Sequence, residues 1–296
     1  MVNPPQLAPW IGSGGAIPRS RRYFYIWTGG EDCMDAQPLR IGIAGLNGRV
    51  GRLLAEEVPS GGAVLAGGTT RNGQTVAGID CPVYADIAGL ARHCDVVIDF
   101  THADTVIPHA TALAESGTAW VLGTTGLSPV QQQAVDAAAK RIAVVQAANF
   151  SPGVTLVTRL ARQMAAVLPG SEYDAEILEM HHRQKVDAPS GTALAMGRAV
   201  AEGRGIRLED HIESGRDGHT GPRADGAIGF AALRGGQIVG EHSVIFTSGH
   251  EQISLTHRSF DRRVYATGAV RAARWLRARV AGLYNMEDVL GLERPT

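Results

Sequence analysis

The feature that most constrains the fold is a regular alternation of short apolar segments and helical segments, which begins at residue 39. Apolar strands that alternate with helices of about 10–15 residues are typical of βαβ units, in which the strands pair in parallel. The pattern therefore predicts an α/β fold built on a doubly wound parallel sheet. The predicted strands are Leu39–Ala44, Ala63–Thr69, Asp95–Phe100, Thr118–Leu122 and Ile142–Ala147, and the predicted helices are Gly48–Val58, His102–Ser116 and Ser128–Arg141.

The rhythm changes after Asn149. Three apolar segments follow one another there without a helix between them, which indicates an antiparallel or mixed sheet in a smaller α+β domain. We therefore predict two domains with a boundary near residue 150. The predicted elements of the second half are helices near 153–167, 191–202 and 264–280, and strands near 175–180, 227–234, 237–246 and 251–258.

Residues 1–38 differ from the rest of the chain. They are rich in proline, contain a GSGG stretch and a cluster of three arginines, and show neither helical nor alternating periodicity. The apolar run YFYIW is too short for a secretory signal, which needs about 7–15 apolar residues. We predict a disordered extension; an organellar transit peptide and translation from a wrongly chosen start are the alternatives.

Composition argues against several classes of function. A formal net charge of −1 and an aromatic content of 5% argue against nucleic-acid and acidic-membrane binding. No run of about 18 apolar residues occurs, so no membrane span is predicted. Cys33, Cys81 and Cys94 show no CxxC spacing, which argues against a disulfide framework or a thiolate metal site. We expect a cytoplasmic protein without a metal site.

A glycine-rich turn joins the first predicted strand to the first predicted helix. Its sequence is GLNGRVG, with Gly45, Gly48 and Gly51 at GxxGxxG rather than the usual GxGxxG spacing. Glycines at such a junction allow the backbone to approach a pyrophosphate, which the amides at the helix N-terminus stabilise. The turn therefore predicts a Rossmann-like dinucleotide site, with simple strand–helix packing as the alternative.

The end of the second predicted strand bears on the choice of cofactor. An acidic residue at this place binds the ribose 2′-hydroxyl of NAD, whereas its absence near an arginine accommodates the 2′-phosphate of NADP. The chain has Thr69, Thr70, Arg71 and Asn72 there. We expect NADPH to be preferred, with NADH as a usable alternative. In the other interpretation, Arg71 is a solvated loop residue.

Two further loops follow apolar strands, Phe100–Thr101 and the GTTG segment Gly123–Gly126. Ligands of open α/β sheets bind outside the carboxyl ends of the strands. We therefore expect both loops to lie beside the nicotinamide. Thr124 and Thr125 have a commoner use as caps of the helix that follows, which is the alternative.

The most specific stretch of the sequence is EMHHRQKVDAPSGTALAMG, residues 179–197. His181, His182, Arg183 and Lys185 place four basic side chains within five positions, a density that favours an anionic ligand. Histidine titrates near neutrality, and lysine can have its pKa lowered by neighbouring positive charge, so both can supply protons. A His–His pair that only packs in the core is the alternative.

A helix begins directly after this basic cluster. Ser190 is the predicted N-cap, and the free amides of Gly191 and Thr192 offer a second anion site. Two anion sites next to each other suit a small dicarboxylate.

Together these motifs resemble the 4-hydroxy-tetrahydrodipicolinate reductase family, formerly called dihydrodipicolinate reductase. The resemblance covers about residues 39–292 and is most specific in HHxxKxDAPSGTA. It implies reduction of a cyclic imine dicarboxylate to tetrahydrodipicolinate with NADPH or NADH, on the diaminopimelate route of lysine biosynthesis. The matching segments are GxxGRxG, the FT and GTTG loops, AANFSPGV (Ala147–Val154), HHxxKxDAPSGTA and RDGHTGPR (Arg216–Arg223).

The resemblance also implies roles for individual residues. His181 matches the family's proton donor and acceptor, and Lys185 matches its proton donor. His182 and the amides of Gly191 and Thr192 match contacts with the substrate carboxylates. The implied cofactor contacts are Gly45, Leu46, Asn47, Gly48, Arg49, Val50, Arg71, Gly123, Thr124, Thr125, Ala147, Ala148, Asn149 and Phe150.

The family further implies a homotetramer. Its contacts are expected in a substrate-binding domain over residues 152–263, while a C-terminal helix over 264–296 completes the dinucleotide-binding domain over 39–151. Thr70 departs from the many relatives that carry an acidic ribose ligand there, which favours NADPH. The alternatives are another NAD(P)-dependent amino-acid dehydrogenase on a related scaffold and a non-catalytic dinucleotide sensor.

Overall fold

The protein is described by a computed structural model that covers residues 37–292. The extension predicted over residues 1–38 lies almost wholly outside these residues. No α-helix in the described range is long and apolar enough to cross a membrane. The strands in this range are β1 (Arg40–Ala44), β2 (Val64–Thr69), β3 (Val83–Tyr84), β4 (Val96–Asp99), β5 (Ala119–Leu122), β6 (Ala143–Gln146), β7 (Asp174–His181), β8 (Ile212–Ser214), β9 (Ile228–Arg234), β10 (Gly240–Thr247), β11 (Gln252–Ser259) and β12 (Gly282–Tyr284). The α-helices are α1 (Arg49–Ser60), α2 (Ile87–Ala91), α3 (Val106–Ser116), α4 (Pro129–Ala139), α5 (Pro152–Val167), α6 (Gly191–Gly203), α7 (Arg263–Leu276) and α8 (Met286–Val289).

The first sheet is fully parallel, with its strands in the order β12-β6-β5-β4-β1-β2-β3. Helices cover both faces: α1 and α7 pack on one face through residues such as Leu54 and Val270, and α3 and α4 pack on the other through Leu113 and Val135. Because its inner strands are buried on both sides, their sequences are apolar throughout rather than alternating. The predicted Rossmann-like, doubly wound sheet is confirmed.

The strand order reverses between β1 and β4, which leaves a crevice at the carboxyl edge of the sheet. The loops after β2, β5 and β6 end at the same edge because all the strands are parallel. The glycine turn and the other loops predicted to bind cofactor therefore lie along one edge of the first sheet.

The second sheet is mixed, with its strands in the order β11-β10-β7-β9-β8. Strand β10 pairs antiparallel with β7 and β11, whereas β9 pairs in parallel with β7 and β8. Residues alternate along β10: Val244 and Phe246 are buried under α5 and α6, while Ser243 and Ile245 point to the opposite face. The predicted mixed sheet is confirmed.

The structure contains several short elements that the sequence did not predict, among them β8, β12 and α8. The segment after β2, predicted as a loop, contains β3 and α2, and the last long helix ends at Leu276 rather than continuing to residue 280 or beyond. Strands β3 and β12 are too short for a periodic pattern, and they form by pairing with β2 and β6. The domain boundary stays a prediction, since the described residues from Pro38 onward form one compact unit.

Candidate active site

The glycine turn after β1 is tight for a steric reason. Gly45 has a φ of 79°, in the left-handed region that favours glycine, and its carbonyl accepts a hydrogen bond of 2.9 Å from the amide of Gly48. A Cβ atom on Gly51 would lie 2.3 Å from the same carbonyl oxygen, so a glycine is needed for α1 to begin this close to the turn. The GxxGxxG spacing thus brings the free amides at the start of α1 to the carboxyl edge of the sheet.

A cleft of about 700 Å³ lies beside this turn. Its walls come from the turn and from the segments that follow β2 and β4. On the β2 side, Arg71 is exposed and the hydroxyl of Thr70 donates to the carbonyl of Gln74 at 3.0 Å. Arg49 is exposed at the first position of α1. The predicted cofactor contacts that line the cleft are Gly45, Asn47, Gly48 and Arg71.

Four of the predicted cofactor contacts, Ala147 in the loop after β6 among them, have side chains that pack against the core of the first sheet. Leu46 is fully buried, and its amide donates to the carbonyl of Thr69 at 2.8 Å. Phe150 is buried and packs edge-on against Phe100, with ring centroids 5.3 Å apart. Val50 packs against the same core from the first turn of α1. These side chains anchor the glycine turn and the loop after β6 to the hydrophobic core.

A buried carboxylate that the motifs do not assign organises the loop after β4. Asp99 is fully buried and accepts hydrogen bonds from the amide of Thr101 at 3.0 Å and from its hydroxyl at 2.6 Å. Its other oxygen lies 2.7 Å from Nδ1 of His109. Thr101 and His109 both line the cleft. The signal in the sequence is an acidic residue at the end of the apolar run DVVIDF.

The loop after β5 fits a polar ligand. Gly123 lies against the ring of Phe100, which an added Cβ would approach to 2.3 Å. Thr125 is exposed, but the hydroxyl of Thr124 is buried and has no hydrogen-bond partner among the described residues. Ser128, rather than either threonine, caps the following helix. Since a buried hydroxyl without a partner is costly, the orphaned group and the glycine turn together fit a bound dinucleotide.

The loop after β6 connects the two halves of the site. Ala147 and Ala148 bring no polar side chain, whereas Asn149 accepts a hydrogen bond of 2.8 Å from the amide of Ser151. The side-chain amide of Asn149 donates to the hydroxyl of Thr192 at 3.2 Å. Because Thr192 lies in the first turn of α6, this contact brings a predicted cofactor loop next to the predicted substrate site.

His181 ends β7 in a buried, charged network. Its Nδ1 lies 2.5 Å from Oε2 of Glu179, whose two oxygens also accept hydrogen bonds of 2.7 and 2.8 Å from Arg234. Burial lowers the pKa of His181, an effect that Glu179 opposes and that Lys185 and Arg234 reinforce. The motif predicts the histidine, but neither Glu179 nor Arg234 was assigned from the sequence.

The basic cluster is paired more fully than its sequence indicates. The ammonium of Lys185, in the loop between β7 and α6, donates to both carboxylate oxygens of Asp187 at 2.8 and 2.9 Å. His182 is half-buried, and its Nδ1 has no hydrogen-bond partner in the described part of the chain. A ligand carboxylate therefore finds an unpaired donor or acceptor at His182 and an already paired cation at Lys185.

Ser190 caps α6 as the sequence predicts. Its hydroxyl accepts a first-turn amide at 3.1 Å, and the amides of Gly191 and Thr192 are the first donors of the helix, which have no intrahelical partner. The same hydroxyl lies 3.0 Å from Nε2 of His242, a buried residue of β10. The rings of His242 and His181 pack edge-on with centroids 5.0 Å apart. Burial, together with the charge of His181, lowers the pKa of His242 to about 4.

Two family models match this chain along nearly all of its described length. Residues 39–150 match the model of the dihydrodipicolinate reductase N-terminus, and residues 153–290 match the model of its C-terminus. The chain belongs to the dihydrodipicolinate reductase family. The family resemblance inferred from HHxxKxDAPSGTA and the other motifs is confirmed, and the chain is an oxidoreductase of this family.

Curated relatives of the reductase family match over most of the chain. The 4-hydroxy-tetrahydrodipicolinate reductase of Gluconacetobacter diazotrophicus is 70% identical over 260 residues, which cover 88% of this chain and 100% of that protein. The 4-hydroxy-tetrahydrodipicolinate reductase of Granulibacter bethesdensis is 59% identical over 255 residues, covering 86% of this chain and 97% of that protein. Membership of the reductase family therefore extends through both sheets.

Solved structures agree at the level of the fold. A dipicolinate-bound dihydrodipicolinate reductase from Paenisporosarcina sp. TG-14 matches with a TM-score of 0.70 at 24% identity, covering 84% of this chain and 98% of that chain. The C. glutamicum DAP dehydrogenase, solved in complex with DAP, matches with a TM-score of 0.51 at 16% identity, covering 88% and 97%. The second match shows that a scaffold of this kind is not confined to the reductase family, so the motifs and not the fold discriminate.

Proposed function

We propose that the protein reduces 4-hydroxy-tetrahydrodipicolinate to tetrahydrodipicolinate, on the diaminopimelate route to lysine, and that NADPH is its preferred cofactor. The observation that carries the proposal is the hydrogen bond from Asn149 to Thr192, because it joins the cofactor edge of the first sheet to the N-terminus of α6. His181 is linked to that N-terminus through Glu179, which also accepts a hydrogen bond from the amide of Ser190. Hydride and proton can therefore reach one bound molecule.

The proposed cofactor site is the cleft beside the glycine turn. Amides at the start of α1 and the positive end of the helix dipole suit a pyrophosphate. Arg71 on the cleft wall suits the 2′-phosphate of NADPH, and Thr70 replaces the carboxylate that would favour NADH. The unpaired hydroxyl of Thr124 supplies a further polar contact. When bound, the cofactor provides the hydride.

The substrate is proposed to bind between His182 and the start of α6. Its two carboxylates match two separate groups, the unpartnered imidazole of His182 and the free amides of Gly191 and Thr192. Two-point binding holds the ring in one orientation, which converts a chance encounter into a positioned reaction.

The proton is proposed to come from His181 or Lys185. The reaction takes up one hydride and one proton and releases the 4-hydroxyl as water. His181 lies in a network that holds it beside the α6 N-terminus, and Lys185 carries its ammonium on the loop that leads to that helix. We assign His181 as proton donor and acceptor and Lys185 as proton donor.

The test is to add enzymatically generated 4-hydroxy-tetrahydrodipicolinate to the purified protein and to follow the absorbance of the reduced nicotinamide, with NADPH and NADH in parallel. Oxidation that is faster with NADPH supports both parts of the proposal. Equal rates support the reaction and contradict the cofactor preference. No oxidation by folded protein that still binds nucleotide contradicts the reaction and favours a sensor or an amino-acid dehydrogenase.

We also propose a homotetramer, formed through the face of the second sheet that points away from α5 and α6. Leu178, Met180, Leu233 and Ile245 lie on that face, and Leu233 is 52% exposed. Apolar side chains gathered on an exposed sheet face favour a protein partner. Light scattering should give four times the mass of the 31.2 kDa chain; the mass of a monomer or dimer would contradict the proposal.

A cytoplasmic location is proposed from the state of the cysteines. Cys81 and Cys94 are free thiols, and Cys94 is buried. Unpaired cysteines are typical of a reducing compartment. Fractionation of producing cells should recover the protein with cytoplasmic enzymes; recovery with a periplasmic or organellar fraction would contradict this location.

A further inference from the structure

Glu179 is a buried carboxylate that the family motif leaves without a role. It lies two residues before His181 on β7, on the same face of the sheet, and is 1% exposed. Its oxygens contact the guanidinium of Arg234 at 2.7 and 2.8 Å, the amide of Ser190 at 3.1 Å and Nδ1 of His181 at 2.5 Å. Because a buried charge persists only when it is paired and hydrogen-bonded, this set of partners holds an ionised carboxylate in one place.

Arg234 owes its position to the register of the second sheet. On β9 it stands opposite His181 in the parallel pairing with β7, so its guanidinium reaches Glu179. The same guanidinium donates to the carbonyl of Asp187 at 2.6 Å, and the Asp187 side chain binds the ammonium of Lys185. One arginine thereby connects the carboxylate next to His181 with the loop that carries Lys185.

We propose that Glu179, held by Arg234, is a positioning residue that sets the orientation and the tautomer of His181. The inference rests on the proposed function, since it gives a partner to the residue proposed to transfer a proton. An ionised carboxylate only accepts hydrogen bonds, so Nδ1 of His181 carries its hydrogen towards Glu179. The other ring nitrogen, Nε2, is then the atom that exchanges a proton with the substrate.

The charges that face His181 agree with this arrangement. Burial raises the pKa of Glu179, but hydrogen bonds from Arg234 and His181 outweigh it and hold that pKa below its usual value. Burial lowers the pKa of His181, Lys185 and Arg234 add to this lowering, and Glu179 opposes it. His242, which faces the ring from β10, is neutral near pH 7 because burial lowers its pKa to about 4. Loss of the Glu179 charge should therefore lower the pKa of His181 further.

The first test compares Glu179→Gln with the wild-type chain. Glutamine keeps the shape but loses the charge, so kcat should fall about 10- to 100-fold, the loss seen when a metal-binding histidine loses the hydrogen-bond partner of its other ring nitrogen. The basic limb of the kcat profile should move to lower pH, because a weaker hold on the proton leaves His181 deprotonated earlier. KM for NADPH should stay unchanged. A purely structural role for Glu179 would not move the pH profile.

Glu202→Gln is the matched control. Glu202 also pairs with an arginine of the same half of the chain, Arg162 at 3.2 Å, but its side chain is 65% exposed and lies on α6 away from His181. The control should leave kcat and its pH profile unchanged.

Arg234→Lys is a second test. It keeps the positive charge but loses the planar fork that reaches both oxygens of Glu179. It should therefore show a smaller fall in kcat than Glu179→Gln and a smaller shift of the basic limb in the same direction.

Gly240→Ala tests the assignment of Nε2 without touching Glu179. A Cβ on Gly240 would lie 3.2 Å from Nε2 of His181. The added methyl should therefore hinder that nitrogen and lower kcat, while the pairing of Glu179 with Arg234 remains. This variant keeps the proposal testable if Glu179→Gln does not fold, and unchanged turnover in Gly240→Ala would contradict the use of Nε2.

A measurement without turnover separates this inference from the proposed function. The ¹⁵N shifts of the histidine rings, assigned with His181→Asn, should show hydrogen on Nδ1 of His181 and a titration that moves to lower pH in Glu179→Gln. An unmoved titration and an unmoved kcat profile in folded Glu179→Gln would overturn the inference. The expected shifts in a wild-type protein that oxidises no NADPH would overturn the proposed function alone.

Discussion

The proposed cofactor edge and the proposed substrate pocket of this reductase are built by opposite means. At the cofactor edge the backbone forms the site: Gly45 supplies a turn and Gly51 supplies the space that lets α1 approach it. In the proposed substrate pocket charged side chains form the site. Glu179 of β7 lies 2.5 Å from His181 of the same strand and accepts hydrogen bonds of 2.7 and 2.8 Å from Arg234 of β9. The cofactor edge depends on glycines that lack a side chain, whereas the substrate pocket depends on charged side chains that compensate one another.

This difference predicts how each site fails. A backbone site should tolerate changes of the surrounding side chains but not an added Cβ at a contact. A site of compensating charges should fail when one member is removed, because the remaining buried charges lose their partners.

The largest effect should follow loss of a proton-transfer group in the pocket. Lys185→Ala and His181→Ala should each lower kcat about 10²- to 10⁴-fold, the usual contribution of a positioned acid or base. The Kd for NADPH should not change, since neither residue lines the cleft beside the glycine turn. Steady-state kinetics and nucleotide titration measure both quantities. Near-normal turnover in the two variants would contradict the assignment of the pocket.

The pocket should also respond to pH through His242, whose pKa burial lowers from 6.5 to about 4. Below pH 6.5 the imidazole of His242 binds a proton in the unfolded chain, but in the folded chain it stays neutral until about pH 4. Protonation therefore stabilises the unfolded state, so the free energy of unfolding falls as the pH is lowered from 6.5 towards 4. Between pH 7 and pH 5 this should remove about 2 kcal/mol of unfolding free energy. Urea titrations should show a smaller loss in His242→Gln, and equal losses would contradict the buried, neutral state.

Gly51→Ala should break the cofactor edge and leave the pocket intact. Its Cβ would lie 2.3 Å from the carbonyl oxygen of Gly45, so α1 must move away from the turn. The Kd for NADPH should rise about tenfold, which corresponds to about 1.4 kcal/mol, with little change in kcat at saturating cofactor. Gly249→Ala is the control, because an added Cβ there meets nothing within 4 Å. Unchanged affinity in Gly51→Ala would show that the close approach is not needed.

The smallest effect should be on cofactor preference. Arg71 is exposed, and an exposed ion pair contributes about 0.2–1 kcal/mol, so Arg71→Ala should lower the ratio of kcat/KM for NADPH over NADH by up to about fivefold. The exposed Arg141, in the turn that follows α4, provides the control Arg141→Ala. An unchanged ratio in Arg71→Ala would return this residue to the role of a solvated loop arginine.

Much of the fold follows from the sequence because periodicity is a local property. The strand predicted over Asp95–Phe100 is β4 (Val96–Asp99), and the helix predicted near 153–167 is α5 (Pro152–Val167). Strands β3 and β12 could not be predicted in this way, because two or three residues are too few to show a hydrophobic periodicity. They are strands because they pair with β2 and β6.

The candidate site divides in the same way into features that follow from local sequence and features that depend on tertiary contacts. The chemistry proposed for residues 179–192 could be inferred from the sequence because the proposed proton donors and the helix cap lie in one contiguous string. That Glu179 contacts Arg234, 55 positions away, and that His242 packs against the ring of His181, depends on the pairing of β7 with β9 and β10. Local propensity and spacing act over a few residues, so the sequence by itself determines which groups are present. Sheet register and burial act between distant segments, so only the tertiary structure decides which of those groups meet and how their charges compensate one another.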